Sequence, residues 1–182
     1  MNIKVYKLKR FLDLSMVFSG LIFPLLWPLW IVVIFIIPIL IWIEDRGPIF
    51  YSQERSGLLD IPYKVWKLRT MKVNSESKGP QWASKKDPRI TSIGKYLRKS
   101  RLDELPQLVS VIKGEMSLIG PRPERPAFDR KLGLEIPHYN VRKWIKPGLS
   151  GWAQVNYPYA SSCLLYTSPS PRDLSTSRMP SS

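Results

Sequence analysis

Two neighbouring carboxylates, Asp103 and Glu104, are the residues of this chain whose type and spacing best suit chemistry. Residues 98–106 read RKSRLDELP, so three cations precede the acidic pair and a proline follows it. On a regular helix, adjacent side chains point about 100° apart, so the pair converges only at a helix end or kink. Pro106 predicts such an irregularity. The alternative, a solvated charged turn, is the usual interpretation of an isolated acidic pair and stays open.

A second motif, Pro121-Arg122-Pro123, is suited to binding an anion. The two prolines fix their own φ angles, so the arginine between them loses little backbone entropy on binding. Its planar guanidinium matches phosphate oxygens. Alone, this tripeptide more often indicates a rigid loop. Together with Arg98 and an acidic pair that offers oxygen ligands, it supplies the parts of a phosphoryl-transfer site, with Mg²⁺ as the expected metal.

The composition excludes several other kinds of site. The 182 residues include one Cys and one His, so a disulfide framework is impossible, and a zinc site, a Cys–His pair or a Ser-His-Asp triad would depend on His138 alone. Lys and Arg number 28 against 14 Asp and Glu, a formal charge of +14 that indicates an anionic partner. A hydrophobic content of 44% argues against disorder.

A long apolar run near the N-terminus predicts a membrane anchor. Residues 14–43 carry no charge, whereas about 20 apolar residues suffice to cross a bilayer core as a helix. A cleaved signal peptide has a shorter apolar region of about 7 to 15 residues, followed by a small-residue cleavage site, and fits poorly. A plain transmembrane helix is the stronger competing interpretation.

Three prolines, Pro24, Pro28 and Pro38, favour a hairpin over a straight span. A break near Pro24 leaves residues 14–23 as a leg of about 15 Å, half of the roughly 30 Å hydrocarbon core. Such a leg cannot cross. We therefore expect a re-entrant helix–break–helix over residues 1–45, whose two ends leave the membrane on one face.

The charge pattern agrees with this one-sided arrangement. Basic residues precede the apolar run, and residues 46–162 hold 22 basic and 10 acidic residues. Short basic flanks prefer the cytoplasmic side of a membrane, and a straight span would place one of these two flanks outside.

The predicted fold class is α+β, with the re-entrant hairpin followed by a small, mainly helical domain over residues 46–162. Short aromatic and β-branched segments at 49–53 and 63–69 predict two strands of a β-hairpin. Apolar spacings of three and four over 92–113 predict helix, interrupted by a proline. A short helix is expected over 127–131.

Residues 163–182 change abruptly to a Ser- and Pro-rich composition. Codons chosen for this segment resemble read-through of a sequencing adapter, so we exclude it from fold reasoning, as an expression scar would be excluded. We accordingly expect the natural chain to continue beyond residue 162. A genuine flexible tail is the alternative.

Five blocks in order make the chain closely resemble the bacterial sugar transferases, the monotopic phosphoglycosyl transferases that act on undecaprenyl phosphate. A sixth, shorter segment, KRFLD at 9–13, precedes them. Five ordered blocks are far more specific than any one alone. The blocks read GPIFYSQER at 47–55, KLRTM at 67–71, LDELPQL at 102–108, MSLIGPRP at 116–123 and KPGLSGWAQV at 146–155.

The resemblance implies transfer of a sugar 1-phosphate from a nucleotide sugar, usually a UDP-sugar, to polyprenyl phosphate, the step that begins exopolysaccharide, capsule or glycan assembly. It implies that Asp103 is the nucleophile, that Glu104 is a metal ligand or proton acceptor, and that Arg98 and Arg122 hold phosphate. With Mg²⁺, the metal ligands would be Asp103 and Glu104. Residues 46–162 would then be the catalytic domain, and Pro24 the membrane break, at the cytoplasmic face of the bacterial inner membrane.

Two basic residues, Lys67 and Arg69, either line the site or face lipid headgroups, which attract cations at roughly 1 kcal/mol each. A homo-oligomer stays open, and nucleic acid is not expected as a partner. The competing function is a membrane-anchored basic module that binds nucleic acid or anionic lipid without catalysis, for which binding would weaken steeply with salt. A third alternative is a scaffolding protein that keeps the motifs without turnover.

Overall fold

The computed structural model describes residues 3–73, 75, 87–151 and 155, and within them the chain is a mixture of helices and short strands. This confirms the mixed α and β character expected from the sequence. The helices are α1 (Ile3–Ile22), α2 (Trp27–Ile31), α3 (Ile37–Glu44), α4 (Ser92–Ser100), α5 (Leu108–Lys113) and α6 (Pro126–Glu135). The strands are β1 (Phe50–Ser56), β2 (Pro62–Leu68), β3 (Ser117–Ile119) and β4 (Gly148–Ser150).

The N-terminal apolar segment bends where the sequence places its first proline. Helix α1 ends at Ile22, and Phe23 is extended with φ −63° and ψ 114°, as is usual before a proline. The indole Nε1 of Trp30 donates to the carbonyl of Gly20 at 3.1 Å. In one continuous helix, residues ten apart lie about 15 Å from each other, so the chain turns back here. We call α1 the first leg and the helical segment that follows it, Pro24–Glu44, the second leg of this apolar hairpin.

The second leg accommodates its later prolines without a second break. Pro28 and Pro38 each lie in the first turn of a helical section, α2 and α3, where an amide donor is not needed. The five residues Val32–Ile36 between these sections are π-helical, an irregularity that helices often use to absorb local strain. Among the described residues, this 21-residue segment is the one helix long and apolar enough to cross a membrane, with a mean hydropathy of 2.7.

Strands β1 and β2 form the antiparallel hairpin that the sequence predicts. Phe50 pairs with Leu68, and Ser56 pairs with Pro62 at the other end. Strand β2 ends one residue before Arg69, which therefore lies outside the strand alternation. Every second side chain of a strand points to the same face, so Lys67 lies on the same face of β2 as buried Val65 and Tyr63.

The predicted interruption between two helices is present but begins earlier than Pro106. Helix α4 ends at Ser100, and Arg101 adopts the left-handed conformation with φ 61°. A 3₁₀ segment, Leu102–Gln107, follows and contains Pro106 before α5 begins. The bend therefore comes directly before the acidic pair.

A parallel pair of three-residue strands, β3 and β4, was not predicted. Ser117 pairs with Gly148 and Ile119 with Ser150. The two backbones approach so closely that a Cβ on Gly148 would lie 2.0 Å from the amide nitrogen of Gly120. Residues 147–155 were expected to be a loop leading into a short extended piece, but strands this short leave no periodicity in a turn-rich sequence, so their pairing was not indicated.

Both legs of the apolar hairpin pack into the rest of the chain. Val17 of the first leg belongs to one core cluster, together with Tyr63, Val65, Val111 and Met116. The second leg joins another cluster, which is made of Val33, Ile37, Ile41, Leu68 and Leu97. The hairpin and the remainder of the chain thus share two hydrophobic cores. The predicted boundary at 162 and the segment 163–182 lie outside the described residues.

Candidate active site

The irregular backbone between α4 and α5 places the acidic pair inside the protein. The left-handed Arg101 turns the chain, and its carbonyl accepts a hydrogen bond from the amide of Glu104 at 3.2 Å. Asp103 and Glu104 are each only 7% exposed. Two carboxylates that would diverge on a regular helix are both buried here, which argues against a solvated charged turn.

Glu104 lies between two cations from distant parts of the chain. Its Oε1 accepts hydrogen bonds from Lys67 Nζ at 2.7 Å and from Arg122 Nη2 at 2.9 Å. Arg101 Nη1 lies 3.9 Å from Oε2. Burial raises the pKa of Glu104, but the charges and hydrogen bonds of Lys67 and Arg122 outweigh it and lower the pKa to about 2. Glu104 is therefore ionised at neutral pH.

Lys67 reaches this carboxylate from the inner face of the β-hairpin. Burial, together with the nearby charges of Arg122 and Arg55, lowers its pKa from 10.5 to about 8, although the charge of Glu104 acts in the opposite direction. Of the two alternatives that the sequence left open for Lys67, the structure favours a position in the site over one facing lipid.

Asp103 has a different environment from its neighbour. Its Oδ1 is buried and has no hydrogen-bond partner among the described residues. Burial raises the pKa of Asp103 and the Glu104 carboxylate adds to this, while Lys67 and Arg98 oppose it and leave the pKa above its ordinary value. Burial that leaves a carboxylate poorly solvated favours its basic character, so that it can attack an electrophile.

The other two arginines that the sequence predicted at the site, Arg98 and Arg69, lie on different elements. Arg98, on α4, donates from Nε to Thr70 Oγ1 at 2.8 Å and contributes to the charge around Asp103. Arg69 is 7% exposed and donates from Nη2 to the carbonyls of Ile41 and Asp45 at the end of α3. Arg69 thus caps the C-terminal end of the second leg, and its predicted role in binding substrate stays a prediction.

The Pro-Arg-Pro motif forms a loop fixed through its backbone. The backbone nitrogens of Pro121 and Pro123 donate no hydrogen bonds, whereas each of the four consecutive carbonyls of residues 121–124 accepts one from another part of the chain. This leaves the Arg122 side chain directed at Glu104 by a rigid main chain. The four donors are Gly148 N at 2.9 Å, Arg142 Nη2, Arg55 Nη1 at 3.2 Å and Ser56 N at 3.0 Å.

Sequence reasoning missed Arg142 in this network. Arg142 also donates to Tyr139 Oη at 2.7 Å, and that hydroxyl donates to Asp129 Oδ1 at 2.7 Å. Its contact with the Arg122 carbonyl joins residues 20 apart through a backbone atom. No side-chain pattern signals such a contact, so the sequence held no indication of it.

The acidic pair is compatible with a divalent cation. Among the described residues there is no group of three or more His, Cys, Asp and Glu side chains that would form a complete metal site. Mg²⁺, however, commonly uses one or two carboxylates and completes its shell with water and substrate phosphate. The unpartnered Asp103 Oδ1 is suited to that role, as is Glu104 Oε2 on the side away from Lys67.

A buried, poorly solvated carboxylate close to a lysine and two arginines has the charge arrangement that phosphoryl transfer requires. The family comparison agrees with this chemistry. Residues 4–169 match the family model described as bacterial sugar transferase, and the chain belongs to that family. The membership expected from the sequence motifs is confirmed.

Curated relatives carry related names. The chain is 47% identical over 135 residues to the Bacillus subtilis (strain 168) protein named "Putative undecaprenyl-phosphate N-acetylgalactosaminyl 1-phosphate transferase", covering 74% of this chain and 72% of the relative. It is 47% identical to the UDP-N-acetylgalactosamine-undecaprenyl-phosphate N-acetylgalactosaminephosphotransferase of Aeromonas hydrophila, covering 68% and 29%. It is 43% identical to the UDP-glucose:undecaprenyl-phosphate glucose-1-phosphate transferase of Escherichia coli (strain K12), covering 63% and 25%. The chain thus spans less than a third of the latter two relatives.

Proposed function

We propose that this protein transfers a sugar 1-phosphate from a UDP-sugar to undecaprenyl phosphate, through an intermediate in which the sugar phosphate is bound to Asp103. This step would begin the assembly of an exopolysaccharide, capsule or other glycan. The observation that carries the proposal is the buried Asp103 carboxylate, with Oδ1 unpartnered, beside a Glu104 paired with Lys67 and Arg122. The relatives' names supply the substrate class.

In the first displacement, an Asp103 carboxylate oxygen attacks the phosphorus that bears the sugar. An oxygen–phosphorus bond forms at Asp103, and the bond from that phosphorus to the bridging oxygen of the diphosphate breaks. The electron pair of that bond leaves with UMP. Arg122 and Arg98 offset the negative charge that develops on the phosphoryl oxygens.

In the second displacement, an oxygen of undecaprenyl phosphate attacks the same phosphorus. The bond to Asp103 breaks, the carboxylate is regenerated, and the product is undecaprenyl diphosphate sugar. The attacking phosphate is already anionic at neutral pH, so this step needs no strong base. Dividing the transfer into two displacements replaces one difficult step with two easier ones.

Glu104 then acts by holding cations rather than by accepting protons. A carboxyl group whose pKa is about 2 is a weak base at neutral pH. Its negative charge instead fixes the ammonium of Lys67 and the guanidinium of Arg122 beside Asp103. We therefore favour an electrostatic and metal-binding role for Glu104 over the proton acceptor that the sequence left as an alternative.

Asp103 and Glu104 would also hold Mg²⁺. When bound, the ion would supply positive charge that offsets the diphosphate of the substrate. The fit rests on the buried Asp103 Oδ1, which has no hydrogen-bond partner among the described residues, and on Glu104 Oε2, since Lys67 and Arg122 both bond to Oε1.

The apolar hairpin would be re-entrant in the bacterial inner membrane, with both ends at the cytoplasmic face. The turn at Phe23 and Pro24 supports this, as does the Trp30 to Gly20 hydrogen bond between the legs. Asp13 near the start of the apolar run and Glu44 at its end both contact the domain that holds the acidic pair. That arrangement would keep Asp103 near the headgroup depth at which a lipid phosphate lies.

Membranes containing the protein, supplied with Mg²⁺, polyprenyl phosphate and a panel of radiolabelled UDP-sugars, test the proposal. We expect label in the lipid phase for one or a few sugars, with no detectable transfer by Asp103→Asn. Arg122→Ala should retain at most about 1% of the rate, the scale of loss when one donor to a transition-state oxyanion is removed. Normal turnover by Asp103→Asn would refute the proposal. Salt-sensitive binding with no transfer would favour the non-catalytic basic module.

A further inference from the structure

The first leg of the apolar hairpin is fastened to the strand that leads into the Pro-Arg-Pro loop. Asp13 is 8% exposed, and its carboxylate accepts hydrogen bonds from Ser117 Oγ at 2.7 Å and from the Leu118 amide at 3.2 Å. Lys9 donates to Ser117 Oγ and to the Ile119 carbonyl. All three contacted residues belong to β3.

A neighbouring contact strengthens this attachment. Arg10 donates from its guanidinium to the carbonyls of Val111 and Ile112, in the last turn of α5, where helix carbonyls lack intrahelical partners. Lys9 also lies 3.8 Å from the Asp13 carboxylate, one helical turn along α1, whereas the guanidinium of Arg10 is bonded to α5.

The second leg is fastened to the other side of the site. Glu44 accepts hydrogen bonds from the amides of Ser92 at 2.5 Å and Ile93 at 3.0 Å, the first two residues of α4. Its carboxylate thereby caps this helix from outside, together with the regular N-cap Thr91. Helix α4 carries Arg98 and ends at the turn that leads into Asp103.

Both attachments continue rigidly to the site. Strand β3 pairs with β4, and directly after β3 a Cβ on Gly120 would lie 2.5 Å from the Lys146 carbonyl, so we expect a shift of Ser117 to displace the adjoining loop and Arg122. Helix α4 is a continuous helix of nine residues, so we expect a shift of its first turn to displace Arg98.

We infer that Asp13 and Glu44 are positioning residues. Through them, the distance between the two legs of the apolar hairpin determines the gap between the Arg122 side and the Asp103 side of the site. This inference rests on the proposed transfer reaction. Neither carboxylate touches the acidic pair, and each acts through one bonded element. A lipid bilayer that holds the legs at a fixed spacing would thereby hold the phosphate-binding groups in register with the nucleophile.

Kinetics in lipid nanodiscs test the inference with a matched control. Asp13→Ala and Glu44→Ala should each lower kcat about tenfold to hundredfold, the effect of a displacement near 1 Å, with a smaller change in KM for the UDP-sugar. Ser19→Ala on the first leg is the control, because among the described residues its hydroxyl bonds within the helix, to the Met16 carbonyl. If the bond to Ser117 carries the effect, the double variant Asp13→Ala, Ser117→Ala is no slower than Asp13→Ala. Rates equal to that of Ser19→Ala would overturn the inference.

A distance measurement separates positioning from a general loss of fold. Spin labels are attached at Lys99→Cys on α4 and Ile119→Cys on β3, both exposed positions, in a Cys163→Ser background. The distance between the labels measures the gap between the two sides of the site. We expect one narrow distance distribution for the labelled parent and Ser19→Ala, and broader ones for Asp13→Ala and Glu44→Ala. Unchanged distributions would overturn the inference even if activity falls. If the labelled parent protein shows no sugar-phosphate transfer, the proposed function is refuted, but the distance distributions still test the positioning role of Asp13 and Glu44.

Discussion

Asp103 and Glu104 are adjacent in the chain, yet their surroundings move their pKa values in opposite directions. Burial raises the pKa of Asp103, whereas Lys67 and Arg122 overcome burial at Glu104 and lower its pKa to about 2. The left-handed Arg101 makes this division possible by turning the backbone just before the pair. One carboxylate is thereby suited to attack, and the other to hold positive charge.

At the residue scale, activity should depend on the protonation of Lys67. Its pKa of about 8 means that the ammonium loses its proton as the pH rises through 8, and with it the charge that holds Glu104 in place. We expect kcat/KM to fall above that pH. Lys67→Arg, whose guanidinium stays protonated, should move the fall to higher pH.

The contribution of Lys67 to stability should change with pH in the opposite direction, rising over the range in which activity falls. Between pH 8 and 10.5 the unfolded chain holds a proton on Lys67 that the folded protein has released, so this residue's contribution to the free energy of unfolding rises with pH. A fall in kcat/KM above pH 8 without a fall in the free energy of unfolding, measured with denaturant, would therefore support this role of Lys67. An identical alkaline fall in Lys67→Arg would count against it.

At the element scale, the sequence predicted the β-hairpin, the interrupted helices and the rigid Pro-Arg-Pro loop, because each has a local pattern. It did not predict β3 and β4, the Arg142 contact or the position of Arg69. Three-residue strands carry no period, a bond to a backbone carbonyl has no sequence signature, and the alternation that linked Arg69 to Lys67 stops at Leu68. The unpredicted parts are those that depend on long-range packing.

The β3 and β4 contact should be intolerant of any side chain at Gly148. A Cβ there would lie 2.0 Å from Gly120 N and 2.5 Å from Gly120 Cα, both backbone atoms that cannot move aside cheaply. We expect Gly148→Ala to lower the free energy of unfolding by about 1–3 kcal/mol. Transfer should also fall, since β3 leads into the Arg122 loop.

A matched glycine provides the control. Gly20 on α1 has no atom within 4 Å of the position its Cβ would take, so Gly20→Ala should leave stability unchanged or raise it by up to about 1 kcal/mol. Denaturant unfolding of both variants in the same detergent makes the comparison. Equal stability of the two would show that the strands do not meet as described.

At the scale of the whole molecule, the apolar hairpin is part of the folded body. Val17, Val33, Ile37 and Ile41 are buried in cores shared with β2, α4 and α5. Burial of each such side chain contributes about 1.5–3 kcal/mol, a sum comparable to the net stability of a domain. The sequence predicted the location of the break, because a proline biases the preceding residue to an extended backbone. It held no sign that the legs share the core, since apolar residues serve lipid and protein contacts equally.

A re-entrant hairpin should leave both of its ends on one side of the membrane. Cysteines placed singly at the exposed positions Lys4 and Lys64, in a Cys163→Ser background, report the two sides. We expect a membrane-impermeant maleimide to label both in inside-out vesicles and neither in intact spheroplasts, in which a periplasmic marker protein is labelled. Labelling of either cysteine in spheroplasts would indicate a straight span instead.

The central claim is that the Asp103 carboxylate carries the sugar phosphate between donor and lipid. Incubation with the accepted UDP-sugar and Mg²⁺ but no lipid acceptor, followed by acid quench and peptide mass spectrometry, measures this directly. The account predicts an added sugar phosphate on the peptide that contains Asp103, which disappears when undecaprenyl phosphate is supplied. An unmodified peptide at a time when UMP has been released, or the same adduct on Asp103→Asn, would contradict it.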